Sequence, residues 1–284
     1  MFGRRTSGSV VCPSCGSLVG VNDPRCYSCG RANPSLWGFA PALKQFGNDL
    51  GFVPLIMGGT VIVFVLTLLA SGGSFGFSGG DFLSPSEAAF IAFGASGSGP
   101  VFQLGRWWTV FTATWLHGGL IHIAFNMMAL RNVGPATIDL IGPGRTVTIY
   151  VLSGVSGFLL TSIVNQYFPY IPFLSGALIT VGASASICGL LGAITYYGRQ
   201  TASGAIRAMT TQWGISLVVM GFLFRGIDNV AHLGGFLGGY ALCAFFNPLT
   251  RERGDHMLIG LVCLVLSFLA LVASIYTARS IIFS

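Results

Sequence analysis

The sequence predicts an all-α polytopic membrane protein with seven membrane-spanning helices, preceded by a small cysteine-rich module. Three observations predict it. Of the 284 residues, 53% are hydrophobic and only 8% are charged, whereas ordinary soluble domains carry about 25% charged residues. The mean hydropathy is +0.76. The few charges are unevenly placed, so that long stretches carry none. This composition excludes a disordered chain, a secreted disulfide scaffold and an ordinary cytosolic enzyme. The 41 glycines fit the same class, because small residues let helices approach closely in lipid.

The charge gaps locate the spans. Residues 50–80 and 107–130 carry no charge, and 146–198 form one uncharged run broken by Asn165, Gln166, Pro169 and Pro172. That run is long enough for two spans and a loop. Residues 208–224, 229–250 and 257–278 complete the set. A span needs about 20 apolar residues. Seven helices follow, at 52–71, 118–138, 146–166, 182–200, 209–225, 228–247 and 257–278. They must be helices because lipid offers no partner to free backbone N–H and C=O groups.

Orientation follows from the basic residues. With the N-terminus inside, Arg4, Arg5, Arg25, Arg31, Lys44, Arg131, Arg145, Arg199, Arg207, Arg251 and Arg253 are cytoplasmic. Arg106, Arg225 and Arg279 are then outside. The expectation is N-in and C-out, with no cleaved signal peptide, since the start lacks an apolar core. The net charge of +6 is mostly this bias, so no nucleic-acid partner is expected. Arginine and glycine usage, with a single lysine, points to a bacterial inner membrane.

Residues 72–106 form a long outer connection with Phe75, Phe77, Phe82, Phe90 and Phe93. They read either as a segment partly immersed in the interface or as a flexible linker. At the N-terminus, Cys12-Pro-Ser-Cys15-Gly and Cys26-Tyr-Ser-Cys29-Gly are matching knuckles. Four thiolates at this spacing can surround one tetrahedral zinc, and the glycine after each pair permits the tight turn. A thiol redox pair or an iron site is the alternative. With all four positions filled by cysteine, the zinc would be structural, and a module this small would need it to fold. Residues 33–50 have an amphipathic tendency suited to the inner membrane surface. Cys188, Cys243 and Cys263 read as packed thiols.

Titratable residues inside spans are costly and suggest function, although a lone helix histidine is often a packing residue. His117, His122 and His232 stand out. The second, fourth and sixth spans run in one direction, which places His122, Asn126, Ser184 and His232 in the outer leaflet. His122 and Asn126 share a helix face. Serine needs a base to become a nucleophile, and His232 can serve. Asn126, His122 and the free N–H groups of the fourth helix's first turn can stabilise an oxyanion. Ser186 reads as interhelical glue. Asp228 reads as a helix N-cap rather than an orienter of His232. His117 and His122, both assigned to the second helix, would diverge by about 140°, which disfavours a metal site there.

Three blocks resemble the rhomboid family of intramembrane serine proteases: His117-Gly-Gly-Leu-Ile-His122-Ile-Ala-Phe-Asn126, Gly182-Ala-Ser184-Ala, and Asp228-Asn-Val-Ala-His232-Leu-Gly-Gly. The resemblance covers roughly 50–248. It implies a six-helix rhomboid-like core with Ser184 as nucleophile and His232 as base, without an acidic third member. His122, Asn126 and the Ser184 N–H would form the oxyanion hole, and His117 would be structural. Span seven would be an extra C-terminal helix. In three places the chain departs from the family pattern. Ala185 replaces a glycine, Cys188 stands where an aromatic often packs on the histidine, and Thr109 stands where an arginine helps hold the first loop.

The expected domains are a zinc-ribbon-like module at 1–32, a linker at 33–50, the membrane core at 51–248 and the extra span at 249–284. The expected function is endoproteolysis of transmembrane protein substrates near the outer leaflet, with no cofactor for the reaction and a cytoplasmic partner for the zinc module. The alternative is an inactive relative that binds or delivers client helices. A proton-coupled transporter is a third reading, weakened by the lack of paired interrupted spans.

Overall fold

The computed structural model describes residues 4–12, 15–35, 37–39, 51–72, 82–171, 174–223 and 226–278. A small hairpin comes first, of β1 (Ser9–Val11) and β2 (Leu18–Gly20), with Val10 opposite Val19. The helices are α1 (Phe52–Ala70), α2 (Glu87–Phe93), α3 (Leu120–Ile141), α4 (Pro143–Tyr167), α5 (Ser184–Gln200), α6 (Gly204–Leu223), α7 (Asn229–Phe246) and α8 (Gly254–Thr277). A helix lies at each of the seven expected spans, as α1 and α3 to α8. Pro172, Arg225, Arg279, Lys44, Phe75, Phe77 and most of the expected interfacial segment 33–50 lie outside the described residues.

Among the described residues, α1, α4, α7 and α8 are long and apolar enough to cross a membrane alone. Helix α5 has 17 residues, and α3 carries His122, Asn126, Arg131 and Asp139. Helix α5 thus falls short in length, while polar residues lower the hydropathy of α3. The outward faces of α1 and α8 are apolar, with Leu55, Ile62, Leu69, Leu261, Phe268 and Leu269 exposed. In water such faces would be a liability, whereas in lipid they are the favoured surface.

Helix α5 is central. Its residues from Ala185 to Ile194 are buried without interruption, the pattern of a helix enclosed on all sides. Close approach requires glycine here. A Cβ on Gly235 would stand 2.1 Å from Ala185 O, and one on Gly239 would stand 1.9 Å from Gly189 O. Helices α5 and α7 therefore meet backbone to backbone.

From Phe82 onward, the connection after α1 is folded. Ser86 caps α2 by accepting from Ala89 N–H. Short turns follow at Gly99–Gln103, Trp107–Phe111 and Ala113–Trp115. Phe93 is buried, while Phe82 remains exposed.

Arg145 is buried at the start of α4, so it is not a free surface charge. Its guanidinium donates to Ile141 O, Thr250 O, Thr250 Oγ1 and Arg251 O at 2.9–3.2 Å. Its main-chain N–H donates to Glu252 Oε1 at 2.8 Å. Burial raises the Glu252 carboxyl above its ordinary pKa, and that hydrogen bond opposes the shift. These bonds fix the turn that leads into α8.

Candidate active site

Ser184 opens α5, and His232 lies in the first turn of α7. Ser184 Oγ and His232 Nε2 are 2.8 Å apart, although 48 residues separate them in sequence. Both side chains are half-buried, so the pair is both sheltered and reachable. Asp228 behaves as the N-cap of α7. Its Oδ1 accepts from Ala231 N–H at 2.9 Å and from the Thr161 hydroxyl at 3.0 Å.

The turn before Ser184 is held from the segment preceding α3. Gly182 N–H donates to Ala113 O at 2.9 Å. Ala183 N–H donates to His117 Nε2 at 3.3 Å. Thr114 Oγ1 and Ser186 Oγ are 3.0 Å apart, which makes Ser186 the expected interhelical link. Gly182 has φ +136°, a region that side chains rarely adopt.

His117 is not on the helix with His122. Helix α3 begins only at Leu120, because Gly118 and Gly119 break the helical run before it. The two rings therefore do not diverge. They pack edge to face, with centroids 5.1 Å apart. His122 Nδ1 accepts the Gly118 N–H at 3.1 Å. That bond leaves the ring proton on Nε2, as a donor. An atom in the Cβ position that Gly182 lacks would be 2.9 Å from His122 Nε2 and 3.6 Å from Ser184 Oγ. Asn126 is buried, and its Nδ2 donates to His122 O at 2.9 Å. One amide hydrogen is thus used, and the other is available. Ser184, as the first residue of α5, has a main-chain N–H with no intrahelical acceptor.

A sequence model of the rhomboid domain matches residues 104–249, just over half of the chain. The chain belongs to the rhomboid family. The rhomboid protease GluP of Bacillus subtilis (strain 168) is 32% identical over 192 residues, covering 66% of this chain and 36% of that protein. RHOMBOID-like protein 1 of Arabidopsis thaliana is 31% identical over 189 residues, covering 61% of this chain and 45% of that protein. RHOMBOID-like protein 7 of the same plant is 33% identical over 172 residues, covering 58% and 51%. The chain spans about a third to a half of the length of these curated relatives.

Ala185 causes no obstruction in this rhomboid. Its methyl joins an apolar cluster with Val101, Ala113, Phe158 and Ala231, and Gly157 of α4 leaves room for it. Cys188, Cys243 and Cys263 are buried as expected. Ala113, Thr114 and Thr161 were not anticipated as parts of the site. Thr161 was visible only as a polar residue in an apolar span, and nothing marked its partner.

Outside the rhomboid domain, the two knuckles repeat one hydrogen-bond pattern. Gly16 N–H donates to Cys12 O and Gly30 N–H donates to Cys26 O, while Cys12 and Cys26 N–H donate to Ser17 O and Arg31 O. The four sulfurs of Cys12, Cys15, Cys26 and Cys29 lie within 4.8 Å of one another. Tetrahedral zinc, with Zn–S of about 2.3 Å, needs sulfurs roughly 3.8 Å apart. The Cys12–Cys29 and Cys15–Cys26 separations are 3.8 and 3.4 Å. Hydrogen bonds from the Ser17 side chain and backbone lower the Cys15 thiol to about 6, which favours the metal-binding thiolate. The cluster can bind a metal ion.

Proposed function

We propose that this rhomboid is an intramembrane serine endopeptidase working by a Ser184–His232 dyad. The observation that carries the reading is the 2.8 Å Ser184–His232 contact between the starts of two helices. His232 Nε2 takes the proton as Ser184 Oγ attacks the scissile carbonyl. The tetrahedral oxyanion occupies the space beside Gly182, accepting from His122 Nε2–H, the Ser184 N–H and the remaining Asn126 amide hydrogen. His232 then protonates the leaving amine, and the acyl-enzyme is hydrolysed by water activated by the same ring. Asp228, engaged as the α7 cap, takes no part in proton transfer.

With the N-terminus cytoplasmic, the dyad lies in the outer half of the bilayer. Substrates are then transmembrane helices cut near their outer ends. Such a helix must unwind to present a carbonyl, which favours small and helix-breaking residues near the cut. Asn126→Ala is expected to lower kcat by about 10²-fold, the scale for one oxyanion donor. Steady-state cleavage of a reconstituted transmembrane substrate measures this, and an unchanged kcat removes Asn126 from the oxyanion hole.

Cys12, Cys15, Cys26 and Cys29 hold a structural zinc, and the ribbon at 1–32 offers a site for a cytoplasmic partner. The linker 33–50, the core 51–248 and the last span 249–284 complete our division of the chain. Metal analysis should find one zinc per chain, lost in Cys12→Ser. Chelation should unfold the ribbon while leaving the melting of the helical bundle in place. A ribbon whose exchange protection survives complete metal removal would contradict the zinc assignment.

A further inference from the structure

Arg106 is 7% exposed. A buried guanidinium is costly unless hydrogen-bonded, and two of the three nitrogens here find acceptors while Nε has none. Its Nη1 donates to Ile91 O in α2 at 2.5 Å, and its Nη2 donates to Ser274 O near the end of α8 at 2.8 Å. Trp108 Nε1 donates to Ser274 Oγ at 3.1 Å. Gly94 closes on the same hydroxyl, since a Cβ there would lie 2.5 Å from Ser274 Oγ. Three parts of the loop between α1 and α3 thus converge on one fully buried serine of the last helix.

From this point to Ser184 the connections are direct. Thr112 Oγ1 donates to Gly94 O at 2.5 Å. The next residue, Ala113, accepts from Gly182 N–H, and Thr114 meets Ser186. The segment is therefore fixed by α8 at one end and grips the residues on both sides of Ser184 at the other. Thr109 follows Arg106 by three residues, and residues three apart lie on the same face of a 3₁₀ turn. Thr109 is itself buried and donates to Ser96 Oγ at 3.5 Å. The guanidinium that holds the loop is thus supplied one turn earlier than position 109.

We propose that Arg106, Trp108 and Ser274 form a clasp that makes α8 a positioning element for the loop at 94–116 and, through it, for Ser184. The link to Ser184 chemistry rests on the dyad reading above; the clasp itself does not.

The test uses the full-length protein in a bilayer, with kcat and KM for a transmembrane substrate and hydrogen exchange along the chain. Arg106→Ala is expected to lower kcat about tenfold with KM changed by no more than about twofold, and Ser274→Ala to lower kcat about threefold. Arg106→Lys should recover part of the loss, because an ammonium can still reach one carbonyl. Trp108→Phe and Ser274→Ala remove the same hydrogen bond, so the double variant should be no slower than the slower single. In Ser274→Ala, exchange should rise at 94–112 and stay unchanged in the middle of α5 and α7. Unchanged exchange at 94–112, a uniform rise through the bundle, or additive losses in the double variant overturns the proposal. If the wild-type protein cleaves nothing, the dyad reading fails, while the exchange results still decide the clasp.

Discussion

Ser184→Ala is expected to abolish cleavage of a transmembrane substrate, and His232→Ala to do nearly the same. The loss should reach about 10⁴- to 10⁶-fold, because nucleophile and base act as a unit and removing either disables both. At 2.8 Å the Ser184 hydroxyl is already aligned with its base, so the wild-type protein should react with a serine-directed phosphonate. Ser184→Ala should not label at all. His232→Ala should label slowly, since the oxyanion donors remain in place. Neither substitution disturbs the packing of α5 on α7, which is made by glycines below the dyad, so melting temperatures should change little. A wild-type protein that binds client helices but never labels is the non-catalytic relative instead. Full activity in Ser184→Ala would sink the dyad outright.

The second large effect is expected where no reacting group is touched. Gly235→Ala places a methyl 2.1 Å from Ala185 O, and Gly239→Ala places one 1.9 Å from Gly189 O. A carbon–oxygen contact relaxes only beyond about 3.2 Å, so α7 must move away from α5 by roughly 1 Å, and a displacement of that size can cost about 10²-fold in rate. Overpacking of this kind also costs about 1–3 kcal/mol of stability. Gly235 is three residues from His232, so its substitution should harm kcat and phosphonate labelling more than Gly239→Ala does. Gly58→Ala is the control, since its Cβ meets nothing within 4 Å. The comparison requires cleavage rates and thermal melting side by side. Wild-type rates in Gly235→Ala would mean that the close α5–α7 crossing does not set the dyad distance.

The helices were legible because the bilayer permits few alternatives to them, and the charge gaps marked where they run. Their ends were less so, for local reasons. Helix α6 starts at Gly204 rather than 209, because Ser203 accepts from Ile206 N–H as a cap while Arg207 is simply carried within the first turn. Helix α4 starts at Pro143, a residue suited to the first helical position. His117 lies off the helix because two consecutive glycines break the run before Leu120. The residues proposed to react stand out in the sequence because few polar groups in an apolar span have other reasons to be there. Their supports do not. Ala113 offers Gly182 a carbonyl that any residue carries, and Thr114, Thr161 and Ser274 are ordinary small polar residues. Their meaning lies in partners 69, 72, 67 and 168 positions away.

The anchoring of α8 bears on the order of synthesis. Its C-terminal end is bonded to Arg106, and the turn leading into it is bonded to Arg145. Both arginines are made long before these acceptors at 250–251 and 274, although Ile91 O and Ile141 O precede them. A nascent chain that has delivered Ser184 and His232 to the membrane therefore still lacks Ser274 O for Arg106 and the 250–251 acceptors for Arg145. The bonds from Arg106 and Trp108 to Ser274 can form only once the last helix is in place. The last helix to be made thus completes the bonding around the residues beside Ser184, and a chain truncated before α8 lacks those bonds.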